Sequence, residues 1–417
     1  MMRRPLLLLL TILFPAMGGA VDGLEFSGYY KNFFVIFNPP EYYSAPPGVP
    51  EQKVRGMVTN RVRLKLSYQF TDGVGFHGAY NFVPRVQDPG LFNQSMLLSS
   101  NVNPEQYRAF DLNRKVYPHR GQSQSVGLYQ NLDRVFVSVA LENADVYIGR
   151  QAIAWGSARV INPTDIIAPF TYEELDTEER TGVDAIRVRI PIGFMGEFDF
   201  GYVAGEDFAF DESALFARTK FYAMETDVSL LLLEFQEHLL LGTDFARSLG
   251  DAGFWLEAAY VLNSPFDDLT FQNVDNYFRG SMGLDYSFTG KSYGFIEYHY
   301  SEAGINAEQN YLDLFSTPAY RDGAVYLLGK SYIAPGFTYQ YTPLISLTGQ
   351  ALYNTGDRSV FLAPSLEYNI SQNVYLGAGA FFGLGRRPEI STERIPLLRS
   401  EFGAYPDMYY TSFRVYF

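Results

Sequence analysis

The sequence predicts an all-β fold, a transmembrane antiparallel β-barrel of about 18 strands, with 16 strands as the alternative. Three observations indicate this fold: 17% of the 417 residues are aromatic, apolar and polar residues alternate with a period of two, and short turns alternate with long loops. Charged residues make up 19% of the chain and the mean hydropathy is −0.09, which is too polar for a bundle of membrane helices. Barrels turn one apolar face to lipid and their polar residues inward, so their average hydropathy stays near zero.

The composition excludes several other classes of protein. The formal net charge is −14, whereas a protein that binds nucleic acid needs a basic excess. The absence of cysteine rules out disulfide scaffolds, thiolate metal sites and cysteine nucleophiles. The four histidines do not follow a metal-ligand spacing, and no nucleophile or nucleotide-binding motif is present. We therefore expect no catalytic residues, no metal, no cofactor and no nucleic-acid partner.

The N-terminus predicts export. Two arginines, Arg3 and Arg4, precede a nearly continuous apolar run, which ends at the small residues Gly18, Gly19 and Ala20. This is the pattern of a cleaved signal peptide over residues 1–20. The apolar run is too short for a helix that crosses about 30 Å of hydrocarbon. Residues 21–417 are then expected to form a single barrel in the cell outer membrane of a Gram-negative bacterium.

The alternation of residues along the chain predicts strands with one apolar face. In residues 61–70 the apolar side chains fall on one face, and Arg61, Arg63 and Lys65 fall on the other. Residues 374–384 alternate in the same way. A soluble β-sandwich would show this pattern too, with its apolar faces turned to a core.

The lengths of the connections favour a barrel over a sandwich. Eight turns are predicted at 71–73, 142–145, 193–196, 226–227, 249–253, 289–292, 342–343 and 371–373. Nine longer connections are predicted at 37–56, 86–130, 154–180, 205–215, 236–238, 263–275, 302–328, 355–358 and 385–404. They divide the chain into eighteen strands with both termini on the short-turn side, as in outer-membrane barrels. Without the hairpin around 226–238 the count is sixteen.

Charged residues on the polar faces are candidates for the lining of a channel. A basic wall is predicted from alternate strands, from residues Arg61, Arg63, Lys65, Arg134, Arg187, Arg189, Arg218 and Lys220. The other half of the barrel contributes Glu257, Asp285 and Glu297. Two interpretations stay open: the basic wall guides anions, or the inward charges pair with one another across a polar interior.

The third long loop, residues 152–180, is expected to fold into the lumen, because a long apolar loop is unfavourable in outside water. The residues expected at the constriction are Arg150, Trp155, Asn162, Asp165, Glu173 and Glu174. Acidic residues at 173–179 either face the basic wall and create a transverse field, or stay outside near cations bound to lipopolysaccharide.

Residues 149–184 carry a sequence resemblance. Gly149-Arg150-Gln151 is followed by Trp155-Gly156 and then by Asn162-Pro163-x-Asp165. This segment resembles one found in Gram-negative barrel families loosely related to phosphate-selective and basic-ladder substrate-specific porins. The resemblance implies a porin-like protein of the outer membrane, and it transfers no substrate-binding residue.

Together these features predict an outer-membrane channel for the passive diffusion of small hydrophilic solutes, with a bias to anions. Its expected partners are membrane lipid, lipopolysaccharide, the solutes and, in a homo-oligomer, further copies of the chain. The alternative is a scaffold or export barrel for a protein partner or a polysaccharide. A barrel hydrolase built on Ser281, Glu297 and His299 is a less favoured alternative.

Overall fold

The computed structural model describes residues 23–48, 53–92, 103, 105–117, 124–172, 174–265, 276–393 and 396–417. The expected signal peptide, residues 1–20, and Glu173 lie outside the described residues. Within the described ranges, no helix is both long enough and apolar enough to cross a membrane.

Eighteen antiparallel strands form one closed barrel, which confirms the predicted fold and strand number. They are β1 Leu24–Asn38, β2 Arg55–Thr71, β3 Val74–Gln87, β4 Val126–Ala140, β5 Asp145–Gln151, β6 Val183–Ile192, β7 Gly196–Val203, β8 Ala214–Ala223, β9 Thr226–Phe235, β10 His238–Leu249, β11 Ala252–Leu262, β12 Tyr277–Thr289, β13 Ser292–Ser301, β14 Ser331–Thr342, β15 Ile345–Asn354, β16 Val360–Ser371, β17 Val374–Leu384 and β18 Asp407–Tyr416. Each strand pairs with its sequence neighbours, and β1 also pairs with β18, from Tyr29 opposite Tyr416 to Asn38 opposite Asp407. Each of the eighteen strands therefore has a partner on both sides, as a barrel in lipid requires.

Two of the predicted turns are displaced in the structure. The turn expected at 226–227 is formed by Met224 and Glu225, whose φ angles are 51° and 59°, and residues 226–227 begin β9. Two consecutive left-handed residues give a hairpin turn that matches the twist of the flanking strands. The turn expected at 342–343 consists of residues 343–344, because Thr342 is the last residue of β14. Since both hairpins are present, the count of eighteen holds and the alternative of sixteen is wrong.

The outer face of the wall is apolar, as the alternation predicts. Leu66 on β2 and Ile296 on β13 are exposed to the outside, whereas Arg63 and Glu297 on the same strands are buried toward the inside. An apolar outer face suits hydrocarbon and would be unfavourable in water.

The interior also contains a large apolar cluster. The sequence predicted that the loop 152–180 folds inside, but not that further loops join it there. Residues of several long loops pack inside the barrel against the inward faces of the strands, among them Ile153, Ile167, Tyr311, Tyr320 and Phe402. All five side chains are less than 2% exposed. Burying one such side chain contributes about 1.5–3 kcal/mol, so these loops are held inside the barrel by a core of their own.

Candidate channel constriction

Four basic side chains on β1 and β2 point into the barrel. Arg61, Arg63 and Lys65 alternate with outward apolar residues, as predicted. The fourth, Lys31, lies opposite Arg61 in the register of β1 and β2 and was not predicted. Its inward neighbours on β1 are Tyr29 and Phe33, both buried. Because these inward residues are aromatic, the polar face of β1 could not be recognised by its polarity.

The acidic segment 176–179 binds this basic wall directly. Asp176 lies between two of the cations: its Oδ1 is 2.8 Å from Lys31 Nζ and its Oδ2 is 2.8 Å from Arg61 Nη1. Glu178 Oε2 is 2.5 Å from the same Lys31 ammonium. Glu179 pairs with Lys65, and its Oε2 is 3.6 Å from Arg63 Nη2. These carboxylates belong to the third long loop, residues 152–180, called the loop below. They compensate much of the charge of these four cations.

Hydrogen bonds help to keep Glu178 ionised. Burial alone raises the pKa of Glu178, but hydrogen bonds from Lys31 Nζ and from the Tyr416 hydroxyl, 2.6 Å away, outweigh it and lower the pKa. The segment thus presents ionised carboxylate to the wall at neutral pH.

A β-bulge on β4 brings two opposite charges to the inner face. The register with β3 shifts between Ala79 and Tyr80, so that Asp133 is left as an extra residue beside Arg134. The Asp133 carboxylate lies 2.7 Å from Arg63 Nη2 and 2.7 Å from Arg134 Nη1. Arg134 also donates to the Arg180 carbonyl at the end of the loop. The bulge therefore joins β2, β4 and the loop in one ionic network.

The remaining predicted basic residues lie nearer the short-turn end and also have partners. Arg187 Nη2 is 2.6 Å from Asp199 Oδ2, and Arg189 pairs with Glu197 on the same hairpin.

Two more of these cations occupy β8. Arg218 donates to Ser229 Oγ at 2.8 Å, and Lys220 Nζ is 3.5 Å from Asp227 Oδ1. The structure thus brings the eight predicted cations to the inner face, and it also shows the acids and hydroxyls that they contact.

On the opposite side of the barrel, Glu257 on β11 holds the first half of the loop. Its Oε2 accepts hydrogen bonds from the backbone N–H groups of Ser157 and Ala158, at 3.0 and 3.1 Å. Its Oε1 accepts from the backbone N–H and the hydroxyl of Thr164, at 2.8 and 2.7 Å. The side chain is completely buried. It therefore acts as an anchor for the loop, and a role in lining an open lumen stays a prediction.

Glu297 on β13 is a second anchor of the same kind. Its carboxylate accepts hydrogen bonds from the backbone N–H groups of Arg159, Val160 and Ile161 and from the indole of Trp255, at 2.7–3.3 Å. Asp285 on β12 adds an ion pair, since its Oδ2 lies 3.0 Å from Arg159 Nη2. Strands β11–β13 and strands β1–β2 stand about half the circumference apart. Residues 157–179 therefore bind both sides of the wall.

Buried residues define the conformation of the loop itself. Trp155 is 6% exposed and its ring lies 4.8 Å from that of Phe216. Gly156 has φ +104°, and a Cβ there would collide with the side chains of Asn162 and Glu257. Both the backbone and the space therefore require glycine at this position.

One acid of the loop, Asp165, is buried. Burial raises the pKa of Asp165 to about 6, although Arg180 Nη1, 2.7 Å from its Oδ2, lowers it in part. Glu174 is exposed, and partial desolvation raises its pKa. Asp165 therefore belongs to the packed interior of the loop, in contrast to Asp176, Glu178 and Glu179 at its basic edge.

Arg150, the remaining residue predicted at the constriction, lies elsewhere. It is opposite Val135 and Asp184 in the register of β5 with its neighbours, which puts it on the outward face of the wall. Its Nε is 2.7 Å from Asp184 Oδ1. Arg150 therefore forms an ion pair within the strand wall and is not part of the inward-folded loop 152–180.

A buried acid joins three further loops at the end of the barrel away from the short turns. Glu401 accepts hydrogen bonds from the backbone N–H of Leu328, from the Tyr332 hydroxyl and from Asn354 Nδ2, at 2.6–2.9 Å. Its own backbone N–H donates to Asp357 Oδ2 at 2.6 Å. Burial raises the pKa of Glu401 to about 7.

The residues considered for a hydrolase form a structural pair. The Ser281 hydroxyl lies 2.8 Å from His299 Nδ1 and 2.6 Å from the carbonyl of Ile161, to which it donates. Both side chains are less than 5% exposed, and Glu297 is bound to the loop. Among the described residues, no group of three or more histidine and acidic side chains could hold a metal ion.

Comparison with solved structures identifies the fold. The chain is similar to OpdK of Pseudomonas aeruginosa, crystallised with vanillate, at a TM-score of 0.56 and 9% identity over 96% of this chain and 100% of that one. A BenF-like porin from Pseudomonas fluorescens Pf-5 gives 0.55 and 12% identity over 96% and 100%. OccAB2 of Acinetobacter baumannii gives 0.55 and 8% over 96% and 99%.

No protein-family model and no curated protein sequence matches the chain. The structural neighbours are substrate-specific porins of the Occ and Opd type from Gram-negative outer membranes. The resemblance of residues 149–184 to particular porin families stays a prediction.

Proposed function

We propose that this protein is an outer-membrane channel through which small hydrophilic solutes diffuse passively. The observation that carries the proposal is the binding of residues 157–179 to both sides of a closed barrel. A loop held in this way narrows the lumen. A solute must then pass through the gap that remains between the loop and the strand wall.

The charged side chains nearest to water suggest where that path runs. Arg61 and Lys65 are 34% and 37% exposed, whereas Lys31 and Arg63 are almost fully buried. A solute that passes along β2 would therefore meet the two accessible cations and the loop acids Asp176 and Glu179 that pair with them. Opposite charges in a low-dielectric passage create a transverse field that orients a polar solute.

A preference for anions is the finer part of the proposal. The support for it is the accessible pair Arg61 and Lys65, and the vanillate in the OpdK crystal, an aromatic carboxylate, is a suitable test solute. Because loop acids compensate these cations, we expect a modest preference and not a strong one. The proposal also places the protein among membrane lipid and lipopolysaccharide.

Reversal potentials in a planar bilayer under a salt gradient test both parts. The chain without residues 1–20 is expected to form channels that favour chloride over potassium, and the double substitution Arg61→Glu and Lys65→Glu is expected to reverse that preference. The matched control exchanges the two cations for each other, Arg61→Lys and Lys65→Arg, and should keep it.

The outcomes separate the two claims. Reconstituted barrels that never conduct would refute the channel. Conductance with the same selectivity in the charge-reversed variant would refute anion guidance and leave the channel intact.

A further inference from the structure

The wall of the barrel has a notch above β5. This strand has only seven residues and its pairing with β4 ends at Arg150 opposite Val135. The first nine residues of β4, 126–134, therefore extend beyond their neighbour. Strands β6 and β7 are short at the same end, since Ala185 and Val203 form the last pair between them. Without a further element this part of the wall would open to the lumen.

Residues 105–117 fill the notch. Lys115 and Tyr117 pair with Tyr129 and Leu128 of β4, and the Tyr107 carbonyl accepts the backbone N–H of Asp184 at 3.0 Å.

The same segment passes from the inside of the wall to the outside. Tyr107 is 2% exposed and belongs to the apolar cluster inside the barrel, whereas Phe110, three residues later, is 66% exposed. Arg108 fixes the crossing on the inner side, where it donates to the Gly182 carbonyl and to Asn131 Oδ1, both at 2.8 Å.

A cavity of about 600 Å³ lies on the outer side of the notch. Its walls include Val135, Ile148 and Ile186, which face outward from β4, β5 and β6. Phe110 and Phe208 cover it from two different loops, with their rings in edge contact at 5.4 Å. Its volume is in the usual range for small-molecule sites.

The polar groups at the floor of this cavity are already paired within the protein. Arg150 binds both oxygens of Asp184 at 2.7 and 2.9 Å, Asp111 Oδ1 at 3.1 Å, and the carbonyls of Leu132 and Phe110. It is 4% exposed. Arg150 is therefore not free to bind an anionic head group. The other walls of the cavity are mostly apolar and suit a hydrocarbon chain.

We propose that this cavity is a side site of the barrel wall that binds the hydrocarbon chain of a fatty acid from the surrounding membrane. Three features support that occupant: the lining strands face lipid, the charges at the floor are satisfied internally, and the two covering phenylalanines are exposed in a loop region where water would disfavour them. The site lies against residues 105–117, so a bound chain is separated from the lumen by one segment of polypeptide.

Tryptophan fluorescence provides a direct test, because the two native tryptophans, Trp155 and Trp255, are buried. The full chain with Phe110→Trp is reconstituted in unbrominated phospholipid vesicles and titrated with a brominated fatty acid. Phe34→Trp is the control, since Phe34 is also an exposed outward residue near the same end of the barrel. We expect quenching that saturates for Phe110→Trp and quenching that rises in proportion to the membrane concentration of the fatty acid for Phe34→Trp.

A second substitution locates the site. Ile148→Phe narrows the cavity in the Phe110→Trp background, and Ile296→Phe is its control, because Ile148 and Ile296 are 50% and 52% exposed on the same outer face. Displacing about two methylene groups from the cavity is expected to weaken binding about tenfold.

Two results would overturn the proposal. One is proportional quenching at both tryptophans, which would show partition into the bilayer only. The other is saturable quenching that Ile148→Phe and Ile296→Phe leave equally strong, which would put the bound chain outside this cavity.

Discussion

Glu297 provides the sharpest test of how the loop is held. We consider Glu297→Gln, which keeps the size of the side chain and removes its charge. In the structure, Oε2 accepts hydrogen bonds from Arg159 N, Val160 N and the Trp255 indole, while Oε1 accepts from Ile161 N at 3.0 Å. An amide has only one acceptor oxygen, so its NH2 group must face one of these donors.

The cost follows from the four bonds. The best amide orientation keeps its oxygen in the position of Oε2 and leaves Ile161 N–H without a partner, at about 1–3 kcal/mol for a buried donor. The three surviving hydrogen bonds lose the charge of their acceptor, and each weakens by about 1 kcal/mol. The docked state of the loop should therefore be destabilised by about 4–6 kcal/mol.

Limited proteolysis of the reconstituted barrel measures this change. Arg159 and Arg180 are trypsin sites within or beside the anchored segment and should become accessible when the loop leaves the wall. Both native tryptophans contact the region, so their emission should shift to the red, and single-channel current should fluctuate more. The control is Glu367→Gln, since Glu367 also pairs with an arginine on the inner face but is 46% exposed.

A particular result would refute this reasoning. If Glu297→Gln keeps the loop as resistant to trypsin as the parent chain, with unchanged emission and quiet current, the carboxylate is not what holds residues 159–161. Cleavage that increases equally in Glu367→Gln would point to a general loosening of the barrel.

Three further predictions concern other parts of the molecule. Burial raises the pKa of Glu401 from 4.5 to about 7. Its neutral form therefore stabilises the packed loops fully below pH 4.5, and this stabilisation, about 3 kcal/mol, is lost as the pH rises through 7. The loops should be cleaved more readily at pH 8 than at pH 5.5, and Glu401→Gln should abolish this difference. Arg150→Ala leaves Asp184 unpaired on the outer face and should lower the free energy of unfolding by about 3–5 kcal/mol. In urea unfolding, the double variant Arg150→Ala with Asp184→Ala should lose less free energy of unfolding than the sum of the two single variants. Additive losses would contradict the pairing. Gly156→Ala should release the loop as Glu297→Gln does, because its φ of +104° and the neighbouring side chains exclude a Cβ. The same trypsin digest tests this prediction. Gly349→Ala is the control, because Gly349 has open space around it.

Most of the fold could be predicted from the chain alone because lipid imposes simple rules. Every second residue faces hydrocarbon and every strand must be paired, so the period of two and the lengths of the connections are strong signals. The displaced turn at Met224 and Glu225 shows where this reasoning loses resolution. Neither residue is a typical turn residue, and only the register of β8 and β9 assigns the left-handed conformation to them.

The candidate site was less predictable. The alternation showed that Arg61, Arg63 and Lys65 face inward, and pairing of the acidic run near 176 with them was one of two alternatives that the sequence left open. Nothing in the sequence of β11 and β13 indicates that Glu257 and Glu297 bind backbone N–H groups of a loop 93 to 138 residues earlier. Such a contact depends on the closure of the barrel, which is a property of the whole chain.

Three features of this protein are thus determined by its sequence: a barrel of alternating strands, an apolar outside and an inner face with basic residues. They follow from local periodicity, which each strand carries by itself. Tertiary structure decided how the charges are used. Asp176 joins the cations of β1 and β2, Arg150 faces outward and pairs with Asp184 beside the notch above β5, and the aromatic residues of the long loops pack inside. These outcomes depend on which segments closure brings together, and electrostatic pairing and packing act only between groups that are already neighbours in space.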